Sequence, residues 1–225
     1  MGNGIIKYLK NIVDAVLSII YSERDECPLC KAYMEESFLC QRCLNKINFI
    51  TGSFSIKRED YSFKCYSLAN YSDNIAHMII RLKYKKDFQC GEVLGHLLSK
   101  KIIESGIHAH YLTFVPMTKK AIKKRGYNQS EYLAKVVGKY LDIPVIKSLS
   151  KTKDTLDQIG LNSSERWNNV HDSFYIYNKN KINNKKIILI DDVITTGATA
   201  YNCAKELMNN GAKEINILTV AKSNV

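Results

Sequence analysis

One short segment, Ile187 to Thr199, constrains the fold of this chain more than any other part of its sequence. It reads I-I-L-I-D-D-V-I-T-T-G-A-T: an apolar β-branched run, two adjacent acids, a turn rich in threonine and glycine, and the start of a helical pattern. Such apolar runs predict a strand buried on both faces, and strands of this kind occur in parallel sheets covered by helices. The helix expected over 198–210 is followed by Gly211, a residue typical of the position after a helix. The segment therefore predicts a strand-turn-helix unit of an α/β protein.

The polar residues of this segment predict a binding site at the carboxyl end of the strand. Ligands of open α/β sheets bind at that end, and a helix start offers N–H groups that suit a phosphate. Asp191 and Asp192 would repel a phosphate, but they suit the hydroxyls of a vicinal diol or the outer ligands of Mg²⁺. A phosphate cradle beside diol acceptors indicates a site for a ribose 5-phosphate group. The candidate residues are Asp191, Asp192, Thr195, Thr196, Gly197, Ala198 and Thr199.

Hydrophobic periodicity elsewhere extends the alternation of strands and helices. A strand is expected at 61–71, and two helical segments are expected within 73–104. Asn128 is the expected N-cap of a helix over 128–141, with Glu131 as its capping-box partner. Further strands are expected at 110–117, 143–146 and 215–220. The order from residue 110 onward, β-α-β-loop-β-α-β, predicts a parallel sheet with right-handed crossovers.

A dense run of positive charge lies between the strand expected at 110–117 and the helix that follows it. Its members are Lys119, Lys120, Lys123, Lys124 and Arg125. The ends of parallel strands meet at one edge of a sheet, so this run is expected on the same side as the acid pair, Asp191 and Asp192. It suits a pyrophosphate group or a nucleic-acid backbone, and a solvated charged loop is the alternative. Two aromatic residues near lysines, Tyr84 and Phe88, suit either base stacking or core packing.

Four cysteines near the amino terminus, Cys27, Cys30, Cys40 and Cys43, have the spacing C-x2-C-x9-C-x2-C. Four thiolates suit one tetrahedral Zn²⁺ with no open position, which predicts a structural zinc site. An iron–sulfur cluster and redox thiols are the alternatives. The odd total of seven cysteines does not suit a secreted disulfide scaffold. Lys31 stands where glycine often completes such a knuckle, which predicts a looser first turn.

The composition favours a folded protein with a polyanionic partner. Hydrophobic residues make up 45% of the 225 residues, and the net charge is +11. An amphipathic helix is expected at 1–22, a zinc-binding module at 23–50, and the α/β domain at 51–225. Charges interrupt the apolar stretch near the amino terminus, so neither a membrane span nor a signal peptide is expected. The expected location is the cytoplasm, with peripheral association at the inner face of the cell membrane as an option.

Three motifs in a fixed order carry a resemblance to a known family. They are R-G-Y-N-Q from Arg125, K-T-K-D-T-x-x-Q-x-G-L from Lys151, and D-D-V-I-T-T-G-A-T from Asp191. The last resembles, at every position, the phosphoribosyl-pyrophosphate (PRPP) motif of type I phosphoribosyltransferases. The whole set resembles the competence protein ComF family over residues 20–225, and R-L-K-Y at Arg81–Tyr84 is also similar to that family.

This resemblance implies a type I phosphoribosyltransferase-like parallel sheet flanked by helices, preceded by a small four-cysteine zinc ribbon. It implies that the acid pair binds the ribose hydroxyls of PRPP, taken up with Mg²⁺, and that Thr195 to Thr199 wrap the 5-phosphate. It also implies a mobile loop that closes over PRPP. The candidate residues of that loop are Lys151, Lys153, Asp154, Thr155, Gln158 and Arg166.

The family association implies a role in DNA uptake and natural transformation. Incoming single-stranded DNA would contact the cationic segments and pass to a competence helicase or to recombination proteins. One alternative is a phosphoribosyltransferase that moves ribose 5-phosphate from PRPP to an acceptor, but the sequence shows no nucleobase pocket. Another alternative is a PRPP-sensing regulator. The sequence therefore leaves enzymatic activity open.

Overall fold

The structure is a computed structural model, and it describes residues 26–35, 37–58, 60–152, 167, 173–177 and 179–223. The helix expected at 1–22 lies outside the described residues. Those that are described fall into two compact units, which divide between Leu44 and Asn45. The first unit contains a hydrogen-bonded turn after Cys27 and the short helix α1 (Gln41–Leu44).

The second unit is built on a mostly parallel sheet. Its strands along the chain are β1 (Phe54–Arg58), β2 (Tyr61–Asn70), β3 (Tyr111–Phe114), β4 (Leu149–Lys151), β5 (Phe174–Ile176), β6 (Lys186–Ile194) and β7 (Glu214–Lys222). Five strands form the main sheet in the order β1-β2-β7-β6-β3, while β4 and β5 form a separate antiparallel pair. Within the main sheet only β1 and β2 are antiparallel. The predicted α/β class with a parallel sheet is confirmed.

Helices pack on this sheet, and capping residues mark where several of them begin and end. They are α2 (Asp73–Lys85), α3 (Phe88–Glu104), α4 (Lys119–Arg125), α5 (Gln129–Leu141), α6 (Lys179–Ile182) and α7 (Ala198–Asn209). Lys86 ends α2 in the left-handed conformation, with φ of 53°. Asp87 then caps α3 by accepting from the Cys90 N–H at 3.1 Å. Within the part of the chain that the structure describes, no helix is long and apolar enough to cross a membrane.

Two glycines allow α3 and α5 to pack unusually close together. A Cβ atom at Gly95 would lie 2.3 Å from Val136 Cγ1, and one at Gly91 would lie 2.4 Å from Tyr132 Cε1. Real Cβ atoms do not tolerate such distances, so both positions require glycine unless the helices move apart. Because α5 also packs on β3 and β6, this contact sets the height of α5 above the sheet.

Gly95→Ala should therefore lower the free energy of unfolding by about 1–3 kcal/mol, because the added methyl overpacks the contact with Val136. Urea unfolding of the variant measures this destabilisation. Val136→Ala removes both γ-methyls, including the Cγ1 atom nearest to Gly95, so the double variant should be destabilised by less than the sum of the two single variants. Strict additivity would contradict a direct clash between α3 and α5.

Two expected strands are shorter in the structure, and proline explains both. The strand expected at 110–117 ends at Phe114, although the Val115 N–H still donates to the Ile190 carbonyl at 3.0 Å. Pro116 has no N–H with which to continue the ladder. The strand expected at 143–146 is reduced to one parallel bridge between Val145 and Leu112. Pro144 there contributes only its carbonyl.

The acid pair lies inside β6, close to its carboxyl end, as the sequence pattern of this strand indicates. Pairing between β6 and β7 continues as far as Ile194 and Lys222, which keeps both acids in the strand. Pairing between β6 and β3 stops earlier, at Ile190 and Phe114. From Asp191 onward β3 no longer lies beside β6, so this edge of the sheet opens at the acids.

The cationic run is a helix, and not the solvated charged loop that the sequence left as an alternative. Thr118 caps α4 by accepting from the Ala121 N–H at 3.2 Å. Gly126 ends the helix in the left-handed conformation with φ of 93°, and its N–H bonds to the Ile122 carbonyl. A capping threonine and a terminal glycine are strong enough local signals to order this short helix despite its like charges.

Candidate functional site

The carboxylates of the acid pair are each held by groups from other parts of the fold. Successive residues of a strand point to opposite faces, so the two acids contact different partners. Ser130, at the start of α5, donates its hydroxyl to Asp191 Oδ1 at 2.8 Å, and the Asp192 N–H donates to the same oxygen at 2.9 Å. Asp192 Oδ1 accepts from the Val193 N–H at 2.6 Å. Asp192 Oδ2 lies 2.6 Å from the Lys83 ammonium.

Lys83, in the last turn of α2, is the cation that neutralises this site. The side chains of Lys83 and Asp192 are only 20% and 7% exposed. Burial lowers the pKa of Lys83, but the charge of Asp192, the hydrogen bond to it and the charge of Asp191 together outweigh burial, so the pKa is raised overall. Removing one partner of such a pair would leave an uncompensated buried charge. Sequence reasoning noticed Lys83 only within R-L-K-Y, because no spacing connects α2 with β6.

Asp191 has a different electrostatic environment from its neighbour. Burial, and then the negative charge of Asp192, raise the pKa of the Asp191 carboxyl from 3.8 to about 7. The hydrogen bond from Ser130 and the charge of Lys83 act in the opposite direction but do not cancel this effect. One acid of the pair is thus an ion-paired carboxylate, and the other takes up a proton near neutral pH.

Asp191→Asn should stabilise the protein at high pH and have little effect at low pH. The carboxyl ionises near pH 3.8 in the unfolded chain and near pH 7 in the folded one, so the wild type loses stability as the pH rises between these values. Over this pH range the free energy of unfolding of the wild type falls by at most about 4 kcal/mol. Urea unfolding from about pH 4 to about pH 8 measures it.

The matched control for this experiment is Glu104→Gln, at an exposed position of α3. An advantage of Asp191→Asn that is equal at every pH would contradict a carboxyl that is protonated in the folded protein.

Asn128, from the R-G-Y-N-Q motif, places Ser130 at the acid pair. Its side-chain oxygen accepts from the N–H groups of Ser130 and Glu131 at 2.9 and 3.4 Å, as predicted for an N-cap. Its amide also donates to the Val115 carbonyl at 2.9 Å, which ties the start of α5 to the end of β3. The carboxylate of Glu131, expected to complete a capping box, lies 2.7 Å from the Lys135 ammonium.

The threonine loop, Thr195–Thr199, connects the acid pair to α7. Gly197 is left-handed with φ of 79°, and a Cβ there would lie 2.4 Å from Ile56 Cδ1 of β1. Both facts require glycine at this turn. The Thr196 hydroxyl accepts from the first N–H of α7 at 3.4 Å. The side chains of Thr195, Thr196 and Thr199 are partly exposed, and Ala198, the first residue of α7, is buried.

The five cations of α4 do not share one surface. Arg125 is partly buried and donates to Gln129 Oε1 at 2.5 Å. Lys123 and Lys124 are exposed on the helix. Lys119 and Lys120 are exposed too, but they line a cavity beyond the end of β3. The predicted cationic site is thus divided between a cavity, an open helix surface and the side of the acid pair.

The two aromatic residues singled out beside the lysines have different environments. Tyr84 is 66% exposed and lies under the Arg125 guanidinium, whose central carbon is 5.5 Å from the ring centroid. Phe88 packs instead against Tyr127 and Tyr132, with ring centroids 5.2 and 4.9 Å apart. Core packing therefore explains Phe88, and only Tyr84 of this pair presents a largely exposed ring.

The cavity has a volume of about 500 Å³ and was not foreseen from the sequence. It is lined by Lys119 and Lys120 of α4, Lys147 before β4, Lys151 of β4 and Tyr175 of β5. No single motif connects these residues; they meet because β4 and β5 pair beside the end of β3. Of the predicted mobile-loop residues, Lys151 ends β4 at this cavity, and Lys153, Asp154, Thr155, Gln158 and Arg166 lie outside the described residues.

The four predicted metal ligands come together in the first unit. The Sγ atoms of Cys27, Cys30, Cys40 and Cys43 all lie within 4.8 Å of one another, with 3.5 Å between those of Cys30 and Cys40. A tetrahedral Zn²⁺ with bonds of about 2.3 Å places its sulfur ligands about 3.8 Å apart, so the cluster fits one ion. Lys31 adopts the left-handed conformation with φ of 62°, and its N–H bonds to the Cys27 carbonyl at 2.9 Å. The first knuckle therefore closes without the expected glycine.

If this zinc is structural, Cys43→Ser should lose the metal and unfold the first unit, because binding supplies folding free energy that a small four-cysteine module otherwise lacks. Elemental analysis of the purified protein should give about one zinc per wild-type chain. Hydrogen exchange over residues 26–44 should rise sharply in the variant. Cys203→Ala, at a buried cysteine of α7, is the control and should keep its metal. Unchanged exchange after zinc removal would contradict a structural role.

Several named proteins are similar to this chain in sequence. No protein-family model matches the chain. It is 27% identical over 207 residues to competence protein F of Haemophilus influenzae, covering 88% of this chain and 90% of the relative. It is 22% identical over 209 residues to the DNA utilization protein YhgH of Escherichia coli K12, covering 90% and 86%. It is also 25% identical over 199 residues to competence protein ComFC of Bacillus subtilis, covering 88% and 78%.

Solved structures similar to this chain include two phosphoribosyl-group enzymes. One is the glutamine PRPP amidotransferase of B. subtilis, with a TM-score of 0.40 and 21% identity. The match covers 57% of this chain and 25% of that enzyme. Another is the adenine phosphoribosyltransferase of Thermoanaerobacter pseudethanolicus, with a TM-score of 0.40 and 13% identity over 76% of this chain and 95% of that enzyme. Together with the three ordered motifs, the sequence relatives confirm the resemblance of this chain to the competence protein ComF family over most of its length.

Proposed function

We propose that this protein acts in DNA uptake for natural transformation, binds PRPP with Mg²⁺ at the acid pair and threonine loop, and handles incoming single-stranded DNA on cationic surfaces. Relatives named as competence and DNA utilization proteins support the role in DNA uptake. The observation that carries the PRPP assignment is the position of the acid pair, which is anchored by Lys83 and Ser130 directly before the glycine turn that starts α7.

The chemistry of PRPP matches this arrangement group by group. Its ribose carries a vicinal diol, and the carboxylates of Asp191 and Asp192 are acceptors for such hydroxyls. Its 5-phosphate is a doubly charged anion, which suits the N–H groups at the start of α7 and the hydroxyls of the threonine loop. Mg²⁺ would offset the charge of the diphosphate, and the acid pair supplies the oxygen ligands that this ion prefers.

The cationic surface supports the DNA part of the proposal. Lys119, Lys120, Lys123 and Lys124 are all exposed on α4, and the chain as a whole has a net charge of +11. Exposed lysines in this density attract a phosphate backbone without reading its sequence. Handing on an incoming strand of any sequence needs interactions of that kind.

A phosphoribosyltransferase is the second candidate, and Lys83 favours it. Its ammonium lies at the acid pair, where a diphosphate leaving group would gain negative charge as the bond to the ribose breaks. A fixed cation at such a position stabilises the transition state. The acceptor of the ribose 5-phosphate group would then be the missing partner.

Titration calorimetry with PRPP and Mg²⁺, together with fluorescence anisotropy on an oligothymidine, tests the proposal. The variant Asp191→Asn/Asp192→Asn should lose PRPP binding, since it removes both carboxylate charges from the diol and Mg²⁺ site, but should keep its affinity for DNA. Replacement of Lys119, Lys120, Lys123 and Lys124 by Gln should lower DNA affinity and flatten its salt dependence. The slope should fall by about 0.7 for each DNA phosphate that the variant no longer neutralises.

The outcomes separate the candidates. Failure of an acid-pair variant, shown to be folded by circular dichroism, to bind either ligand would contradict two separate sites. A wild-type protein that binds PRPP but no DNA would replace the DNA-handling role with the transferase function. A wild-type protein that does not bind PRPP would contradict the proposed ligand.

A further inference from the structure

The cavity beyond the end of β3 has the charge of an anion site. Lys119 and Lys120 reach it from α4, Lys147 from the segment before β4, and Lys151 from the end of β4. Glu131 is the acid among its lining residues, and its carboxylate is already paired with Lys135 at 2.7 Å. Among the residues that the structure describes, the lining thus brings four positive charges and a single negative charge to this space.

The same cavity also has an apolar, aromatic side. Phe114 and Leu149 are buried at its floor, and Tyr175 stands at its wall with 46% of its surface exposed. A large aromatic ring that exposes so much surface beside lysines is suited to stacking with a flat partner. The cavity volume of about 500 Å³ falls within the range of sites that enclose a small ligand, about 300–1,000 Å³.

We propose that this cavity holds one nucleotide unit of a single DNA strand, with its phosphates on the lysines and its base against Tyr175. A free inorganic phosphate would use the lysines but leave the apolar floor and the ring without a role. A neutral lipid or an apolar peptide would bring no anion to the lysines. A nucleotide within a strand meets both requirements, because it joins a flat base to flanking phosphates.

This inference rests on the proposed DNA-handling function and gives it a location. It places the strand in the cavity beyond the end of the edge strand β3, whereas the acids lie on the neighbouring strand β6. The bound strand and PRPP would therefore occupy different pockets. The lysines of α4 contribute to the DNA pocket, and Lys147 and Tyr175 become DNA-binding residues that no motif had marked.

Binding of a fluorescent oligothymidine of about 16 nucleotides to the full-length, zinc-loaded protein tests the assignment. Tyr175→Ala should weaken binding by about tenfold or more, and Tyr175→Phe, which keeps the ring, should restore it. Lys147→Gln should reduce the slope of log affinity against log salt by about 0.7. PRPP affinity, measured in parallel, should not change in any of these variants.

Two control variants alter similar residues away from the cavity. Tyr140→Ala changes a tyrosine that is 40% exposed at the far end of α5, about 18 Å along the helix from its start. Lys181→Gln changes an exposed lysine of α6. This helix directly precedes β6 and so lies at the amino ends of the parallel strands, opposite to the carboxyl ends. Both should bind the oligothymidine as the wild type does.

The outcomes distinguish this inference from the proposed function. Normal DNA binding by both Tyr175→Ala and Lys147→Gln would overturn the inference and leave DNA handling intact. Equal weakening by the cavity variants and the controls would also overturn it, since the effect would then be nonspecific. Absence of DNA binding by the wild type would overturn the DNA-handling function itself. Binding of thymidine monophosphate but not of the oligothymidine would assign the cavity to a free nucleotide and overturn the strand.

Discussion

Two adjacent carboxylates in a buried parallel strand impose the constraint on which the rest of this structure depends. Water does not reach such groups freely, so protein groups must hold them. Lys83 does so from the last turn of α2, and Ser130 from the first turn of α5. Both helices must therefore end or begin at the carboxyl edge of the sheet. The close packing of α5 on α3 at Gly95 keeps that arrangement in place.

The opening at this edge comes from strands of unequal length. Pairing of β6 with β3 ends at Ile190, whereas pairing with β7 continues to Ile194. The acid pair thus gains a free side while remaining within a hydrogen-bonded strand. The side chain of Asn128 fills part of the gap. Its amide donates to the Val115 carbonyl, to which β6 donates no hydrogen bond in the part of the chain that the structure describes. Local caps and sheet register together create a site that neither would form alone.

Lys83 and the lysines of α4 lie in two different environments: the first is paired with the acids, and the others are exposed. Lys83 is buried and compensates fixed acids, so its charge is not available to a distant polyanion. The lysines of α4 are exposed instead, and two of them line the cavity together with Lys147. A metabolite with a diol and phosphates suits the first environment, and a flexible polyanion suits the second. One fold can hold both because the acids lie on β6 and the cavity lies beyond the end of β3.

The sequence by itself determined the α/β class, the cysteine cluster, the Asn128 cap and the strand-turn-helix unit that carries the acids, because each depends on residues close together in the chain. How far the strand continues past the acids depends on its pairing with β7, which extends to Ile194. The charged run became a helix because of its two caps. Only tertiary structure could bring Lys83 to Asp192, or Tyr175 and Lys119 to one cavity, since these placements depend on how α2 and the β4–β5 pair dock beside the sheet. Docking of that kind leaves no periodic signal in the sequence, and it decided which cations are neutralised by acids and which face a cavity or solvent.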